Sequence, residues 1–409
     1  MSPFNISINL SAVSDFFSTL LNSNPLQVVL SFLIYGGWII ILIILWHPLE
    51  EFWLKYIQGK FSEKQRFVLL SISVPKNNEQ GPEAVERLFS NMSGIGSKPN
   101  WYDKYIEGKF QLSMSFELIS VGGQIQYLIY TPVQWRSMIE SAIYASYPDA
   151  EVKEIDDYTK NGPEEFPSTE WRMKGADLIL YAPDPYPIRT YPAFEHPLTG
   201  EIKDPLAHLL EFLSTLTTGE QFWLQIIAKP TGSSWKKEGE ELVTELMAKK
   251  QAKKVVSDDE AATFIQMSPG QRRIVDSIEM KIAKTGFDVK IRFIYLAKAE
   301  VFNPGKGVAG FLGAINQFNT LDMNGFKTHS AFKVGTYYIL KKHRTNKISN
   351  RILSAYRERS SWQGGPTCVL NIEELASIYH FPVIAVGAPL IKKTSSKKAE
   401  PPFNLPRAG

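Results

Sequence analysis

The residues that could bind a nucleotide phosphate in this sequence are three Gly-Lys pairs, which begin at positions 59, 108 and 305. A P-loop needs Gly-x4-Gly-Lys-Ser/Thr, because backbone amides hold the phosphates and the hydroxyl reaches Mg²⁺. The residues that follow the three pairs carry no hydroxyl: Phe61, Phe110 and Gly307. We therefore interpret the glycine-rich stretch 305–313 as a helix in which Gly310 and Gly313 permit close packing.

Metal and nucleophile chemistry has equally little support in the sequence. The six His residues are scattered, and a single Cys, Cys368, gives no Cys pair for a zinc site. Cys368 lies in an apolar stretch, where a small buried thiol is the more common occurrence. We expect no enzyme activity, no cofactor and no metal ion.

A basic stretch at 341–359 is the clearest candidate for binding. Its apolar residues Ile348, Ile352 and Tyr356 have helical spacing and predict an inward stripe. That stripe would leave Lys347, Arg351 and Arg359 outward, where they could bind phosphates of nucleic acid or anionic lipid. A solvated helix face with no ligand explains the same pattern equally well.

Residues 26–46 contain no charged side chain, and a helix of this length spans a bilayer core of about 30 Å. We predict a transmembrane helix there, preceded by an extracytoplasmic segment (1–25) and followed by a juxtamembrane helix (47–65). No Lys or Arg precedes the span, whereas four follow it closely: Lys55, Lys60, Lys64 and Arg66. Positive flanks remain in the cytoplasm, so the N-terminus should lie outside and the remaining domains inside.

The segment 66–160 has the pattern of a ferredoxin-like β-α-β-β-α-β module. A buried strand at 66–74 is followed by a helix at 82–92, and residues 111–118 alternate as in a half-buried strand. Gly122-Gly123 predicts a two-residue hairpin turn before the returning strand. A helix at 132–147 and a strand at 151–155 complete the module.

The remaining chain predicts a second module of similar plan. A proline-rich connection (161–203) leads to an α+β module (204–390), in which 334–340 is one of the expected strands. A basic, proline-rich tail (391–409) should be flexible. The fold class expected overall is α+β, with an N-terminal transmembrane helix and two ferredoxin-like modules.

Five segments carry a resemblance to a known family: 122–152, 204–230, 287–302, 370–382 and PPFNLP at 401–406. They resemble the N-terminal membrane half of type IV secretion and conjugation proteins found in candidate-phyla bacteria. In fused members of that class, a segment similar to PPFNLP leads into a HerA-like, coupling-type ATPase. The present chain ends at Gly409, so the resemblance implies that the ATPase is a separate chain.

The function that this resemblance implies is a non-catalytic, membrane-anchored accessory subunit of a DNA or protein translocation machine. It would recruit a hexameric P-loop ATPase, with Phe403 and Leu405 of the tail as the apolar anchors, and would form an oligomer with it. Two alternatives remain. One is a membrane-tethered nucleic-acid-binding protein, and the other is a structural assembly protein of a cell-envelope apparatus such as a pilus.

Overall fold

The computed structural model describes residues 24, 38–75, 77–95, 99–194, 204–254, 268–335 and 337–383. The described residues belong to two compact units. The first unit takes those between Met1 and Gln65 and between Lys98 and Phe110, and the second takes Arg66–Ser97 and Gln111–Gly409. The fold is α+β, with one large antiparallel sheet.

The first unit contains a long helix, α1 (Trp38–Lys64), and a short one, α3 (Trp101–Tyr105). The indole nitrogen of Trp53 donates to the carbonyl of Tyr105 at 2.8 Å, and the Tyr105 hydroxyl donates to Glu50 at 2.6 Å. Asn100 caps α3 by accepting the amide of Asp103, whose side chain accepts the Asn100 amide in return. The predicted juxtamembrane helix is thus part of α1.

The predicted transmembrane span (26–46) lies largely outside the described residues, since α1 is described from Trp38 onward. Across the described part of the chain, no helix combines the length and the apolar character needed to cross a membrane.

The second unit is built on a nine-stranded sheet. Its order is β4-β1-β3-β2-β6-β7-β5-β8, with β9 paired to β7, and all of these pairs are antiparallel. The strands are β1 (Phe67–Ser73), β2 (Met114–Val121), β3 (Gln124–Pro132), β4 (Glu151–Ile155), β5 (Trp171–Leu180), β6 (Glu220–Pro230), β7 (Gly286–Lys298), β8 (Phe326–Lys333) and β9 (Cys368–Asn371).

Helices cover both faces of this sheet. Consecutive residues of a strand point to opposite faces, so they belong to different cores. In β1, Leu70 belongs to the larger core and Leu69 to the core on the opposite face, which the helix Lys341–Arg357 covers. The helices of this unit are α2 (Pro82–Ser93), α4 (Arg136–Ser146), α5 (Ala207–Ser214), α6 (Ser234–Lys254), α7 (Pro269–Ala283), α8 (Gly310–Ile315), α9 (Lys341–Arg357) and α10 (Ile372–Ile378).

The two halves of the sheet have the same internal strand order. Numbered along the chain within each half, the order is 4-1-3-2 for β1–β4 and again for β5–β8. The halves join edge to edge through β2 and β6, which pair from Met114↔Ala228 to Val121↔Gln221. They differ between their second and third strands, where the first half has a two-residue turn and the second half has α6 and α7.

The predicted hairpin is confirmed, but its first strand is more buried than expected. Gly122 and Gly123 have φ of 57° and 85°, which favours glycine. β2 is buried from Met114 to Ser120, so the prediction of a half-buried strand is wrong. Its polar side chains, Ser115 and Glu117, are buried because they bond to other polar groups, as described below.

Two further expectations are wrong. The proline-rich connection (161–203) contains β5, which lies between β7 and β8 in the sheet. The strand expected at 334–340 is replaced by β8, which ends at Lys333, and Tyr338, Ile339 and Leu340 lie exposed beyond it.

Within the glycine-rich stretch 305–313, the predicted close packing is confirmed at Gly310 but is wrong at Gly313, where an added side chain would have no atom within 4 Å. A side chain at Gly307 would lie 2.6 Å from the ring of Tyr295, and one at Gly310 would lie 2.5 Å from the ring of Phe212. Cys368 is buried in β9, and this burial raises the pKa of its thiol. Both observations agree with structural roles for these residues.

Candidate anion-binding face and buried charge networks

Helix α9 presents a row of cations with no acidic residue in its sequence. Those that are exposed are Lys341, Lys342, Arg344, Lys347 and Arg351. Lys347 and Arg351 are four residues apart and therefore share one face of the helix. None of these five cations forms an ion pair with an acidic residue that the structure describes. The exposed placement predicted for Lys347 and Arg351 is confirmed.

The inner face of α9 packs against the sheet and so fixes the position of the exposed cations on its outer face. Ile348, Ile352 and Tyr356 are buried, which confirms the predicted apolar stripe. Asn350 accepts the amide of Phe166 at 2.6 Å and donates to its carbonyl at 2.8 Å. Such paired bonds to one residue define the rotation of the helix as well as its distance from the neighbouring loop.

Arg359 is not on the exposed face, and the prediction that it points outward is wrong. The helix ends at Arg357, and Arg359 adopts a left-handed φ of 48° that turns the side chain inward. Its side chain is only 5% exposed and forms ion pairs with Glu117 at 3.1 Å and with Asp157 at 2.5 Å. Arg359 therefore joins two chain segments internally and is withdrawn as a phosphate ligand.

Glu117 is the centre of this buried network. In addition to Arg359, it accepts hydrogen bonds from three neutral groups: Ser115 Oγ at 2.7 Å, Tyr158 Oη at 2.9 Å and Gln225 Nε2 at 3.1 Å. These partners come from both halves of the sheet. Because a buried charge must be paired and hydrogen-bonded, the network specifies how the two halves join.

The charges of the network alter the titration of its neighbours. Burial alone would raise the pKa of Asp157, but the hydrogen bond and charge of Arg359 hold that pKa below its ordinary value. Burial also raises the pKa of Tyr158 and Tyr356 well above the usual range. Asp157 is therefore ionised and both phenols are neutral near neutral pH.

A second buried network holds the loop between α9 and β9. Arg292 pairs with Asp177 at 2.7 Å and donates to the carbonyls of Ala355 and Gln363, each at 2.7 Å. Asp177 in turn accepts the amide of Gly365 at 2.8 Å. Lys290 donates to two carbonyls of the same loop, and burial lowers its pKa to about 8.

One cavity in the second unit, of about 350 Å³, is lined by several charged groups, but these are already engaged. Lys281 pairs with Glu374 at 3.0 Å, and Arg273 pairs with Asp322. Arg189 donates to the carbonyl of Ala193 and lies over the ring of Phe194. In the part of the chain that the structure describes, no three His, Cys, Asp or Glu side chains are grouped as metal ligands.

The predicted partner-binding residues, Phe403 and Leu405, lie outside the described residues. Sequence reasoning missed the exposed apolar residues Tyr338, Ile339 and Leu340, because an apolar run before a basic helix was interpreted as a strand. The signal that could have identified these three residues is their position directly before the cations of α9.

No curated protein matches this sequence. A family defined by its shared sequence does match, over residues 59–393, which covers most of the chain and all of the second unit that the structure describes. The chain therefore belongs to the family described as Domain of unknown function (DUF8128).

Proposed function

We propose that this protein is a non-catalytic, membrane-anchored accessory subunit of a type IV secretion- or conjugation-like machine that translocates DNA or protein. Its role is to recruit a separate cytoplasmic P-loop ATPase to the membrane. The observation that carries the proposal is the uncharged run 26–46, which continues into the exposed apolar part of α1. The sequence resemblance to the membrane half of secretion and conjugation proteins supplies the rest.

The first half of α1 supports membrane attachment. Its apolar side chains are exposed in the unit to which it belongs: Trp38, Ile39, Leu42, Ile43, Ile44, Leu45, Trp46 and Leu49 are 48–67% exposed. A continuous apolar surface of this kind needs a nonpolar environment, which a bilayer provides. Lys55, Lys60 and Lys64 follow on the same helix and suit the cytoplasmic side.

The fold that we propose for the second unit is a pair of ferredoxin-like modules fused through their β2 and β6 edges. The identical 4-1-3-2 strand order of the two halves and the β-α-β-β-α-β sequence of the first support this interpretation. Fusion at these edges covers two strands that would otherwise offer unpaired backbone groups to other chains. A duplicated, rigid scaffold of this kind suits a subunit whose task is to position a partner.

The orientation can be tested by protease treatment of right-side-out vesicles that contain the full chain. We expect at most residues 1–25 to be removed, because the lysines after residue 54 hold the following domains inside. Cleavage within residues 66–383 in intact vesicles would contradict this orientation. Detergent-opened vesicles provide the control, since both sides are then accessible.

Recruitment of the ATPase can be tested by replacing Phe403 and Leu405 with Ala. These are the large apolar residues of positions 395–409, and Pro401, Pro402 and Pro406 favour an extended backbone that loses less entropy on binding. We expect a P-loop ATPase to co-purify with the full chain from membranes, and its recovery to fall about tenfold or more in the double variant.

A matched control removes two exposed apolar side chains from the folded unit, Leu321 and Trp362. Replacing both by Ala should leave recovery of the ATPase unchanged. Equal recovery with the Phe403/Leu405 variant would place the contact on the folded unit, and the absence of any P-loop ATPase would contradict the proposed recruitment.

A further inference from the structure

The segment between β8 and α9 exposes three consecutive large apolar residues, the apolar tip: Tyr338, Ile339 and Leu340, which are 96%, 74% and 70% exposed. Tyr337 fastens its base, because it packs against the core that α9 covers, and the Arg344 guanidinium lies 4.6 Å from the centre of its ring. The tip therefore projects from Tyr337, which is held against the core.

The helix that follows the apolar tip, α9, carries exposed cations in its first turns. The basic turns of α9, which are Lys341, Lys342, Arg344 and Lys347, are exposed and have no acidic partner among the described residues. Burial lowers the pKa of Lys174 on β5, and the positive charge of Lys341 lowers that pKa further. The surface around the tip therefore carries positive charge that the described part of the protein does not neutralise.

The start of α9, directly after the apolar tip, has features that destabilise a helix. Cations in the first turn of a helix are disfavoured by its dipole, and the first turn of α9 contains no acidic residue. The residue before the helix, Leu340, caps no amide with its side chain and has a left-handed φ of 51°, which is unusual for Leu. An anionic surface at this end would offset the cost of placing these cations here.

We propose that the apolar tip and the basic turns of α9 form a docking element for an anionic lipid surface, with the tip inserted among the headgroups. Apolar insertion combined with flanking Lys and Arg is the combination that binds anionic bilayers. Nucleic acid would attract the same cations and offer bases for the ring of Tyr338 to stack on, but Ile339 and Leu340 would gain little from it, since they offer neither hydrogen bonds nor a ring. The inference does not depend on recruitment of an ATPase.

The test uses the full chain in vesicles and a fluorophore that reports the polarity of its surroundings. Cys368 is the single Cys, so Cys368→Ala gives a background in which Ile339→Cys can be labelled alone. Leu321→Cys is the matched control, because Leu321 is also exposed and apolar but does not belong to the tip or the basic turns. Thermal unfolding of both variants verifies that they are folded.

In phosphatidylcholine vesicles that contain phosphatidylglycerol, the label at 339 should shift its emission to the blue and gain intensity. The label at 321 should do neither. In vesicles of phosphatidylcholine alone, the label at 339 should report water. Replacing Lys341, Lys342 and Lys347 by Gln should lower the equilibrium constant for tip insertion about a hundredfold. Salt at about 1 M should weaken insertion as well, because it screens charges beyond about 3 Å.

Several outcomes would overturn the inference. One is equal emission in neutral and anionic vesicles, and another is an insertion that survives the triple Lys→Gln change. A spectral change produced by duplex DNA instead of phosphatidylglycerol would assign the basic turns to nucleic acid. Failure of the anchor proposed at 26–46 can be distinguished from failure of tip insertion. Without that anchor, alkaline carbonate would release the protein labelled at 321 from the vesicles.

Discussion

Replacing Arg359 by Met should lower the free energy of unfolding by about 3–5 kcal/mol, because the change leaves a buried carboxylate without its cation. Glu117 is completely buried and would retain only neutral hydrogen-bond donors, and Asp157 would lose its ion pair. Denaturant unfolding of the full chain in mild detergent, followed by tryptophan fluorescence, measures this loss.

Lys347→Met is the matched control, since it also replaces a long cation by Met but at an exposed site without an ion pair among the described residues. We expect a change within about 0.5 kcal/mol there. In the double variant Glu117→Gln/Arg359→Met, part of the lost stability should return, because the buried negative charge is removed as well. A loss below about 1 kcal/mol for Arg359→Met would mean that water or another cation solvates Glu117.

The misplacement of Arg359 shows where helical periodicity stops being informative. The stripe Ile348, Ile352 and Tyr356 is predictable because these residues lie within α9. Arg359 lies beyond the end of the helix, and its left-handed backbone breaks the angular relation that places Lys347 and Arg351 outward. A pattern can assign faces only for as long as the helix continues.

Buried charge is the reason that two parts of the sheet were misjudged. In β2, alternating Ser115 and Glu117 resemble a solvent-facing row, although Glu117 faces Arg359. In β5, Asp177 interrupts an apolar pattern and hides the strand, although it faces Arg292. Both partners are more than a hundred residues away along the sequence, so no local pattern identifies them. The Gly122-Gly123 turn is predictable from a local signal alone, because the positive φ of both residues favours glycine.

The second large effect expected is at Arg292, whose replacement by Met should also cost about 3–5 kcal/mol of unfolding free energy. Arg292 has no exposed surface, and it bonds at once to Asp177 and to the loop between α9 and β9. Amide hydrogen exchange should therefore accelerate selectively in residues 358–367 before the sheet is affected, because this loop loses the donor that holds it.

Arg172→Met serves as the control on the neighbouring strand, because the Arg172 side chain is exposed and donates only to nearby carbonyls of its own segment. Its stability and its exchange in residues 358–367 should match those of the unaltered chain. Asp177→Asn in combination with Arg292→Met should recover part of the stability but not the loop protection, since the carbonyl of Gln363 in the loop still lacks the bond from Arg292. If the loop regained its protection in that double variant, the bonds from Lys290 would be sufficient to hold it, and Arg292 would act only by neutralising Asp177.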